Sequence, residues 1–395
     1  MTKPELLAPA GNLAKLKCAF RFGADAVYVG GKSFSLRAFA DNFTDEELAE
    51  GIAYAHERGK KVYAAANIFA RNADFPAMAE HFRTLEGLGA DAVLVSDLGA
   101  LTLCREAAPS LAVHISTQAN VTNARSAAAY ARLGASRVVL ARELSLAEIA
   151  EIHAQAPAVE LEAFVHGAMC ISYSGRCYLS DYLDGRPANR GACVQACRRA
   201  YRIQSEGQSG WCDLEWDGRG TYVMNSKDLN MSAHLQELAA AGVVSFKIEG
   251  RMKSEYYLAT VVNAYRRILD GGYSQSLAAE LECASHRAYT AAYAFGENRD
   301  TVLADGSQEG GTCTFVAVVR GYREGRVYAE MRNRFREGDV LEILSPSESF
   351  GKSVRVAEMQ DEAGQPCPDA SFVQGINSFP CPYPLGEGDI LRRRR

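Results

Sequence analysis

Four of the chain's 11 cysteines, Cys170, Cys177, Cys193 and Cys197, lie in one stretch among glycines and arginines, directly after the apolar run Leu161–His166. Their spacing is Cys-x6-Cys-x15-Cys-x3-Cys. Thiolates gathered this closely suit a soft metal or an iron–sulfur cluster. Zinc ribbons and fingers favour paired Cys-x2–4-Cys units, a form that only Cys193 and Cys197 take. A four-thiolate iron–sulfur cluster tolerates looser spacing, and a glycine-rich, basic surround offsets its negative charge. Three readings follow from the spacing: an iron–sulfur centre, a zinc knuckle, or unligated or nucleophilic thiols. Cys212 is a spare ligand, whereas Cys18 and Cys104 fall in helical patterns and read as small core residues.

Other groups sit where chemistry would use them. His166 ends a strand-like run just before Gly167, a place for an acid, a base or a ligand. Glu162 shares its face by strand alternation but lies deeper. Glu249-Gly250-Arg251-Met252-Lys253 closes a later strand with both charge signs, and Arg251 and Lys253 could hold a carboxylate or phosphate. The bland alternative is an ion pair with Glu249 or Glu255. Asn67, Asp97, Gln118 and Arg142 also stand at predicted strand ends. Neither His-Glu-x-x-His nor Gly-x-Ser-x-Gly occurs, and a His166/Cys170 nucleophilic pair would not need three further thiols, so proteolysis has weak support.

These residues require a scaffold that brings strand ends together. Eight short apolar runs are expected as strands: Glu5–Ala8, Ala26–Gly30, Val62–Asn67, Ala92–Asp97, Ala112–Gln118, Arg137–Arg142, Leu161–His166 and Val244–Glu249. Helical patterns fill most gaps, including Asp45–Arg58 with a Thr44/Glu47 capping box. Gly23, Gly89 and Gly134 each end a helical pattern just before a strand. This alternation predicts a TIM-like (β/α)8 barrel over residues 1–272, with an open doubly wound sheet as runner-up. The latter is disfavoured because no Gly-rich nucleotide loop follows the first strand. The cysteines fall in a long insertion, residues 167–235, after the seventh strand and hence on the barrel's C-terminal, active-site face. A linker over residues 273–310 leads to a small all-β barrel domain over 311–395, with strands at Thr314–Arg320, Arg326–Met331, Val340–Leu344 and Ser353–Met359.

Bulk properties exclude little. The net charge of −5 gives no general attraction to nucleic acid, leaving local patches to do so. Arg186, Arg190, Arg198, Arg199 and Arg202 form one; Arg320, Arg323, Arg326, Arg332, Arg334 and Arg336 form another. The terminal Arg392-Arg393-Arg394-Arg395 reads as a third patch or a frayed tail. With no signal-peptide pattern and no apolar run of membrane-spanning length, a cytoplasmic protein without disulfides is expected.

The stretch from Glu162 to Ser180 resembles the signature of the collagenase-like family, historically filed among peptidases of unknown mechanism as family U-thirty-two. The resemblance extends over essentially the whole chain. It includes residues 7–12 and 23–30, Lys247-Ile248-Glu249-Gly250-Arg251-Met252-Lys253, Ser285-His286-Arg287, and residues 332–339. It implies a TIM-like barrel with an appended β-barrel and an oxygen-sensitive [4Fe–4S] cluster on Cys170, Cys177, Cys193 and Cys197. Length and C-terminal domain are most similar to the branch that forms 5-hydroxyuridine at the wobble position of tRNA, with prephenate implicated as co-substrate. Other branches act on ribosomal RNA or a quinone precursor, and some are described as collagenases. On this reading His166, Glu162 and Glu249 are catalytic candidates, and Arg142, Arg251 and Lys253 hold carboxylates or phosphate. Tyr173 or Tyr178 stacks on an anticodon base, and the arginines of the β domain grip the tRNA backbone.

Overall fold

The computed structural model describes residues 3–36, 41–199, 201, 224–296, 300–303 and 310–395. Arg202, Cys212 and the polar stretch of residues 205–220 lie outside them. The described chain divides into two units, residues 3–20, 24–252 and 286–303 in the first, and residues 21–23, 253–285 and 310–395 in the second.

The first unit is built on β1 (Glu5–Pro9), β2 (Ala26–Gly30), β3 (Lys61–Ala65), β4 (Ala92–Val95), β5 (Ala112–Ile115), β6 (Arg137–Val139), β7 (Glu160–Ala168), β8 (Asp228–Asn230) and β9 (Val243–Ile248). Strands β1 to β7 pair in parallel in chain order, and β9 pairs in parallel with both β1 and β7, which closes an eight-stranded barrel. All eight predicted strands are present, and the open-sheet alternative is excluded by this closure. Helices α1 (Leu13–Arg21), α2 (Asp45–His56), α3 (Phe75–Gly87), α4 (Leu98–Ala107), α5 (Ala124–Arg132) and α6 (Leu146–Gln155) follow the first six strands, as strands buried on both faces require. Gly23, Gly89 and Gly134 have φ of 107°, 80° and 98°, the left-handed conformation a helix C-terminus uses. The Thr44/Glu47 capping box is formed in both directions, at 2.9 and 3.2 Å.

Strand β7 outruns its neighbours. Its last residues, His166 to Ala168, leave the parallel ladder and pair antiparallel with β8, which in turn pairs with β10 (Tyr289–Thr290). This short ladder is the base from which the cysteine-bearing insertion departs. The insertion contains α7 (Leu179–Asp184), and α8 (Leu235–Ala240) leads into β9.

Inside the barrel, toward the N-terminal ends of the strands, lies a layer of ions. Glu162 has no exposed surface. Its carboxylate meets Lys247 Nζ at 2.7 Å and Arg137 Nη1 at 3.2 Å, and it accepts from Ser245 Oγ at 3.2 Å. Arg137 also meets Glu5 at 2.7 Å, and Tyr63 donates to Glu5 at 2.6 Å. Above this layer pack Leu7, Tyr28, Leu94, Val139 and Phe164. Burial pushes the Glu162 carboxyl up, but the charges of Lys247 and Arg137 outweigh it and hold it below its ordinary 4.5. His114, buried and facing Arg137, is pushed down to about 3 and is neutral near pH 7.

The second unit contains α9 (Glu255–Gly271), α10 (Gln275–Leu281) and a β-rich domain. Lys253–Ser285 thus groups with the β domain, whereas the sequence division put residues 253–272 with the barrel. The β domain comprises β11 (Cys313–Arg323), β12 (Arg326–Met331), β13 (Phe335–Arg336), β14 (Val340–Leu344), β15 (Ser353–Arg355), β16 (Asp369–Ala370), β17 (Ile376–Pro380) and β18 (Ile390–Arg394). Six of them form an antiparallel sheet in the order β15-β14-β18-β11-β12-β17, with β13 and β16 as a separate pair. Val316, Val327, Phe335, Ile343, Phe379 and Leu391 fill its core. The terminal arginines are not a frayed tail. Arg392, Arg393 and Arg394 lie in β18, where Arg392 is fully buried between Glu280, at 2.5 Å, and Glu342. Among the described residues no helix is long and apolar enough to cross a membrane.

The ion layer makes a prediction. Because the folded pKa of Glu162 lies below its ordinary value, its contribution is full above pH 4.5 and is lost as pH falls below it. Glu162→Ala takes from Lys247 its buried ion-pair partner, while Arg137 keeps Glu5, and should cost about 3–5 kcal/mol at neutral pH. Urea unfolding of the two proteins, near pH 7 and again below pH 4.5, should show the gap narrowing in acid.

Candidate functional site

The insertion is fastened to the barrel's C-terminal mouth at several points. Arg142, after β6, donates from Nη1 to the Ala168 carbonyl at 2.7 Å and from Nη2 to Ser174 Oγ at 3.4 Å. Arg190 grips Asp74 through both guanidinium nitrogens, at 2.8 and 3.0 Å, and donates to the Phe69 carbonyl at 2.8 Å. The Phe69 amide donates to the Asn189 carbonyl at 2.9 Å, and Asn189 Nδ2 donates to the Gly175 carbonyl at 3.2 Å. Gly175 has φ of 76° and lies so close to Gln118 that a Cβ there would stand 2.3 Å from its carbonyl oxygen. The stretch between Cys170 and Cys177 is therefore pressed against the loop after β5, and only glycine fits the contact.

These anchors bring the four cysteines to one region. Cys170 is exposed, and Cys177, Cys193 and Cys197 are partly buried. Burial pushes the Cys197 thiol up, opposed by the neighbouring Arg198 charge, and Cys170, Cys193 and Cys177 each raise it further, so all four sulfurs are in electrostatic reach. The Gln195 amide donates to Cys193 Sγ at 3.4 Å. Among the described residues no three His, Cys, Asp or Glu side chains stand close enough to hold a single ion. Four thiols in electrostatic reach of one another are a donor set that suits a soft metal or an iron–sulfur cluster.

The thiols are electrostatically joined to the barrel mouth through Arg198. Burial lowers its pKa, the like charge of Arg287 adds to that, and Glu249, Cys197 and Asp228 oppose it. Arg287 itself is held by Asp228, with Nε donating at 2.9 Å and Nη2 at 2.5 Å. His166, buried at the end of the barrel segment of β7, packs at 5.4 Å against Tyr289, which stacks on His286 at 4.4 Å. Glu249 joins the same place through its amide, which donates to the His166 carbonyl at 2.9 Å.

Not every residue singled out in the sequence arrives here. Glu162 lies in the ion layer near the other end of the barrel. Arg251 is buried, with Nη1 donating to Ser35 Oγ at 2.7 Å and Nη2 to Asn42 Oδ1 at 3.3 Å, and its guanidinium lies where a Cβ on Gly30 would be. Lys253 falls in the second unit, donates to the Ser285 carbonyl at 3.2 Å and lies over Tyr257. Arg251 and Lys253 thus belong to different units. Asp97 caps α4, and Asn67 donates to Ser116 Oγ. Several patch arginines already have internal partners: Arg199 with Asp184, Arg320 and Arg332 with Glu330, and Arg334 and Arg336 with Asp369.

The sequence assigned no role to Asp228, Arg287, His286 or Tyr289. Their signals were the Ser226-Lys227-Asp228-Leu229 and Ser285-His286-Arg287-Ala288-Tyr289 phrases, which sit on opposite sides of α8 and β9 and give no hint that they pair. Beside Cys177 lies a cavity of about 300 Å³ lined by Phe69, Arg71, Tyr178, Asp181, Asn189 and Arg190. Tyr173 and Tyr178 are exposed.

Seating of the insertion is testable. Gly175→Ala must meet the Gln118 carbonyl and occupy a left-handed conformation that alone costs an alanine ~1–2 kcal/mol. It should speed protease cleavage within residues 167–199 by several fold while leaving the far-ultraviolet circular dichroism of the barrel unchanged. Unchanged cleavage would remove this contact from the account.

Comparison with known proteins places this architecture. The model of Peptidase family U32 matches residues 11–303, and that of the Peptidase family U32 C-terminal domain matches residues 311–392. The chain is 36% identical over 403 residues to tRNA hydroxylation protein P1 of Bacillus subtilis (strain 168), covering 99% of this chain and 95% of that protein. It is 36% identical over 419 residues to tRNA hydroxylation protein P of Escherichia coli (strain K12), covering 94% and 92%. It is also 38% identical over 266 residues to the 23S rRNA 5-hydroxycytidine C2501 synthase of Escherichia coli (strain K12), covering 67% of this chain but 39% of that protein. The matched models span both the barrel with its cysteine insertion and the β-rich unit, and the chain belongs to peptidase family U32.

Proposed function

We propose that this chain is a tRNA-modifying enzyme that hydroxylates the wobble uridine to 5-hydroxyuridine, with prephenate as co-substrate. The proposal includes a [4Fe–4S] cluster on Cys170, Cys177, Cys193 and Cys197. The observation that carries the reading is the convergence of four cysteines at the barrel mouth, in a chain 36% identical over nearly its whole length to a tRNA hydroxylation protein. A bound cluster would supply redox or Lewis-acid chemistry beyond the reach of protein side chains.

The chain's own residues have definable parts in this reading. Arg142 holds the start of the ligand loop by its Ala168 carbonyl. The Gln195 amide and the Arg198 charge offset negative charge on the sulfurs. Exposed Tyr173 and Tyr178 offer faces on which an unstacked anticodon base can lie, and the cavity beside Cys177 has room for one. Arg71 on its rim is exposed and places a guanidinium where a carboxylate or phosphate of the reactants would lie. His166 and Glu249, at the ends of β7 and β9, are the acid–base candidates on this side of the barrel. Glu162 shapes the barrel from below and does not touch the reactants.

The test is the nucleoside content of tRNA from a strain lacking this gene and any redundant route. 5-Hydroxyuridine-derived nucleosides should be absent, return with the wild-type gene, and stay below a tenth of that level with Cys170→Ser. Full restoration by Cys170→Ser would reject the cluster assignment, and unchanged nucleosides in the deletion strain would reject the tRNA reading. Gelatin cleavage by purified protein, lost in Cys170→Ser, would favour the peptidase alternative.

A further inference from the structure

We propose that Cys283 and Cys313, in the second unit, form a redox-active thiol pair that closes to a disulfide when the protein meets a peroxide. The pair is separate from the four cysteines of the insertion and independent of the function proposed for them.

Cys283 follows α10 and Cys313 opens β11; the two sulfurs are 3.0 Å apart. Both side chains are buried, at 0% and 5% exposure. The backbone around them is drawn in closely. Thr312 N–H donates to the Glu282 carbonyl at 2.8 Å, and Gly311 lies where a Cβ would stand 2.3 Å from the Cys283 carbonyl oxygen. Tyr256 OH donates to that same oxygen at 3.3 Å. This packing holds the thiols together without help from any bond between them.

Their surroundings favour one anion. Arg392 is fully buried and acts electrostatically on both sulfurs, and Arg394 acts on Cys313 as well. Glu280 and Glu342 take up part of this positive charge, through Arg392 Nη2 and Nε and through Arg394. Arg392 Nη1 has no hydrogen-bond partner among the described residues. A buried guanidinium nitrogen without an acceptor favours a nearby negative charge. The hydrogen bond shared with Cys283 draws the Cys313 thiol down despite burial, whereas Cys283 is pushed up. Tyr256 is also raised by burial and stays protonated. The pair therefore favours a thiolate on Cys313 beside a thiol on Cys283, the form in which a dithiol reacts.

Oxidation then follows thiolate chemistry. The Cys313 thiolate attacks one peroxide oxygen, the O–O bond breaks, and a sulfenic acid and hydroxide form. Cys283 sulfur attacks the Cys313 sulfur, the S–O bond breaks and a second hydroxide leaves. With the two protons the thiols give up, hydrogen peroxide becomes two waters and the thiols lose two electrons to form the S–S bond. A dithiol reductant reverses the change. The bond ties the end of α10 to the start of β11.

The test uses the full-length protein, purified under nitrogen with reductant and then exposed to equimolar hydrogen peroxide. Free thiols are alkylated and the peptides mapped by mass spectrometry. A dithiothreitol-reversible peptide linking Cys283 to Cys313 is expected in most molecules, formed at least tenfold faster than any oxidation of the isolated Cys104. In Cys283→Ser, dimedone should trap a sulfenic acid on Cys313. The wild-type mapping stands even if that variant does not fold. Full alkylation of Cys283 and Cys313 after peroxide, or their conversion to sulfinic acids with no linked peptide, would overturn the proposal.

Discussion

A carboxylate with no exposed surface holds the seam of the barrel. Glu162 on β7 is gripped by Lys247 on β9 and Arg137 on β6, and Ser245 links it to Glu5 on β1. These are the strands at which the cylinder closes. Without closure, the ends of β7 and β9 would not bring His166 beside Glu249, and the insertion would have no mouth to cover. Buried charge of this kind costs much in desolvation, so its partners must all be present together. That requirement fixes the register of four strands at once. A one-residue slip would turn the whole set outward.

The insertion depends on that frame. It leaves from a strand that runs past the barrel, and it is tied back by Arg142, Arg190 and the close approach of Gly175 to Gln118. Each tie comes from a different loop at the C-terminal end of the barrel. The cysteines themselves carry little regular structure, so their positions are set by these ties and by a few short turns. Arg198 then couples the thiol region to Asp228, Arg287 and Glu249. Charge introduced at the cysteines would be felt at the barrel mouth.

Much of this was readable in the sequence because its period was clear. Apolar runs of strand length, each introduced by glycine after an amphipathic helix, predicted all eight barrel strands. The cysteine cluster and its placement on the functional face followed from the break in that rhythm. What stayed hidden depended on pairing over long distances. Strand alternation puts Glu162 on the face of His166 and deeper, but nothing nearby in the sequence announces Lys247 and Arg137 as its partners. Arg251 looked like an anion ligand because nothing nearby in the sequence announced Ser35 or Asn42. The closing arginines read as a patch or a frayed tail, yet Arg392 is buried because Glu342, 50 residues away, and Glu280, 112 residues away, meet its charge. The strands β16, β17 and β18 were missed for a related reason: a two-residue strand, or one bearing proline or successive arginines, lacks the apolar alternation that marks its neighbours.

The central claim is that Cys170, Cys177, Cys193 and Cys197 serve one polynuclear centre on the barrel mouth. X-ray absorption at the iron edge, on protein purified without oxygen, tests it most directly. The account predicts sulfur ligation with an iron–iron shell and about four irons per chain. One zinc per chain in tetrahedral sulfur ligation, with no iron, would contradict it.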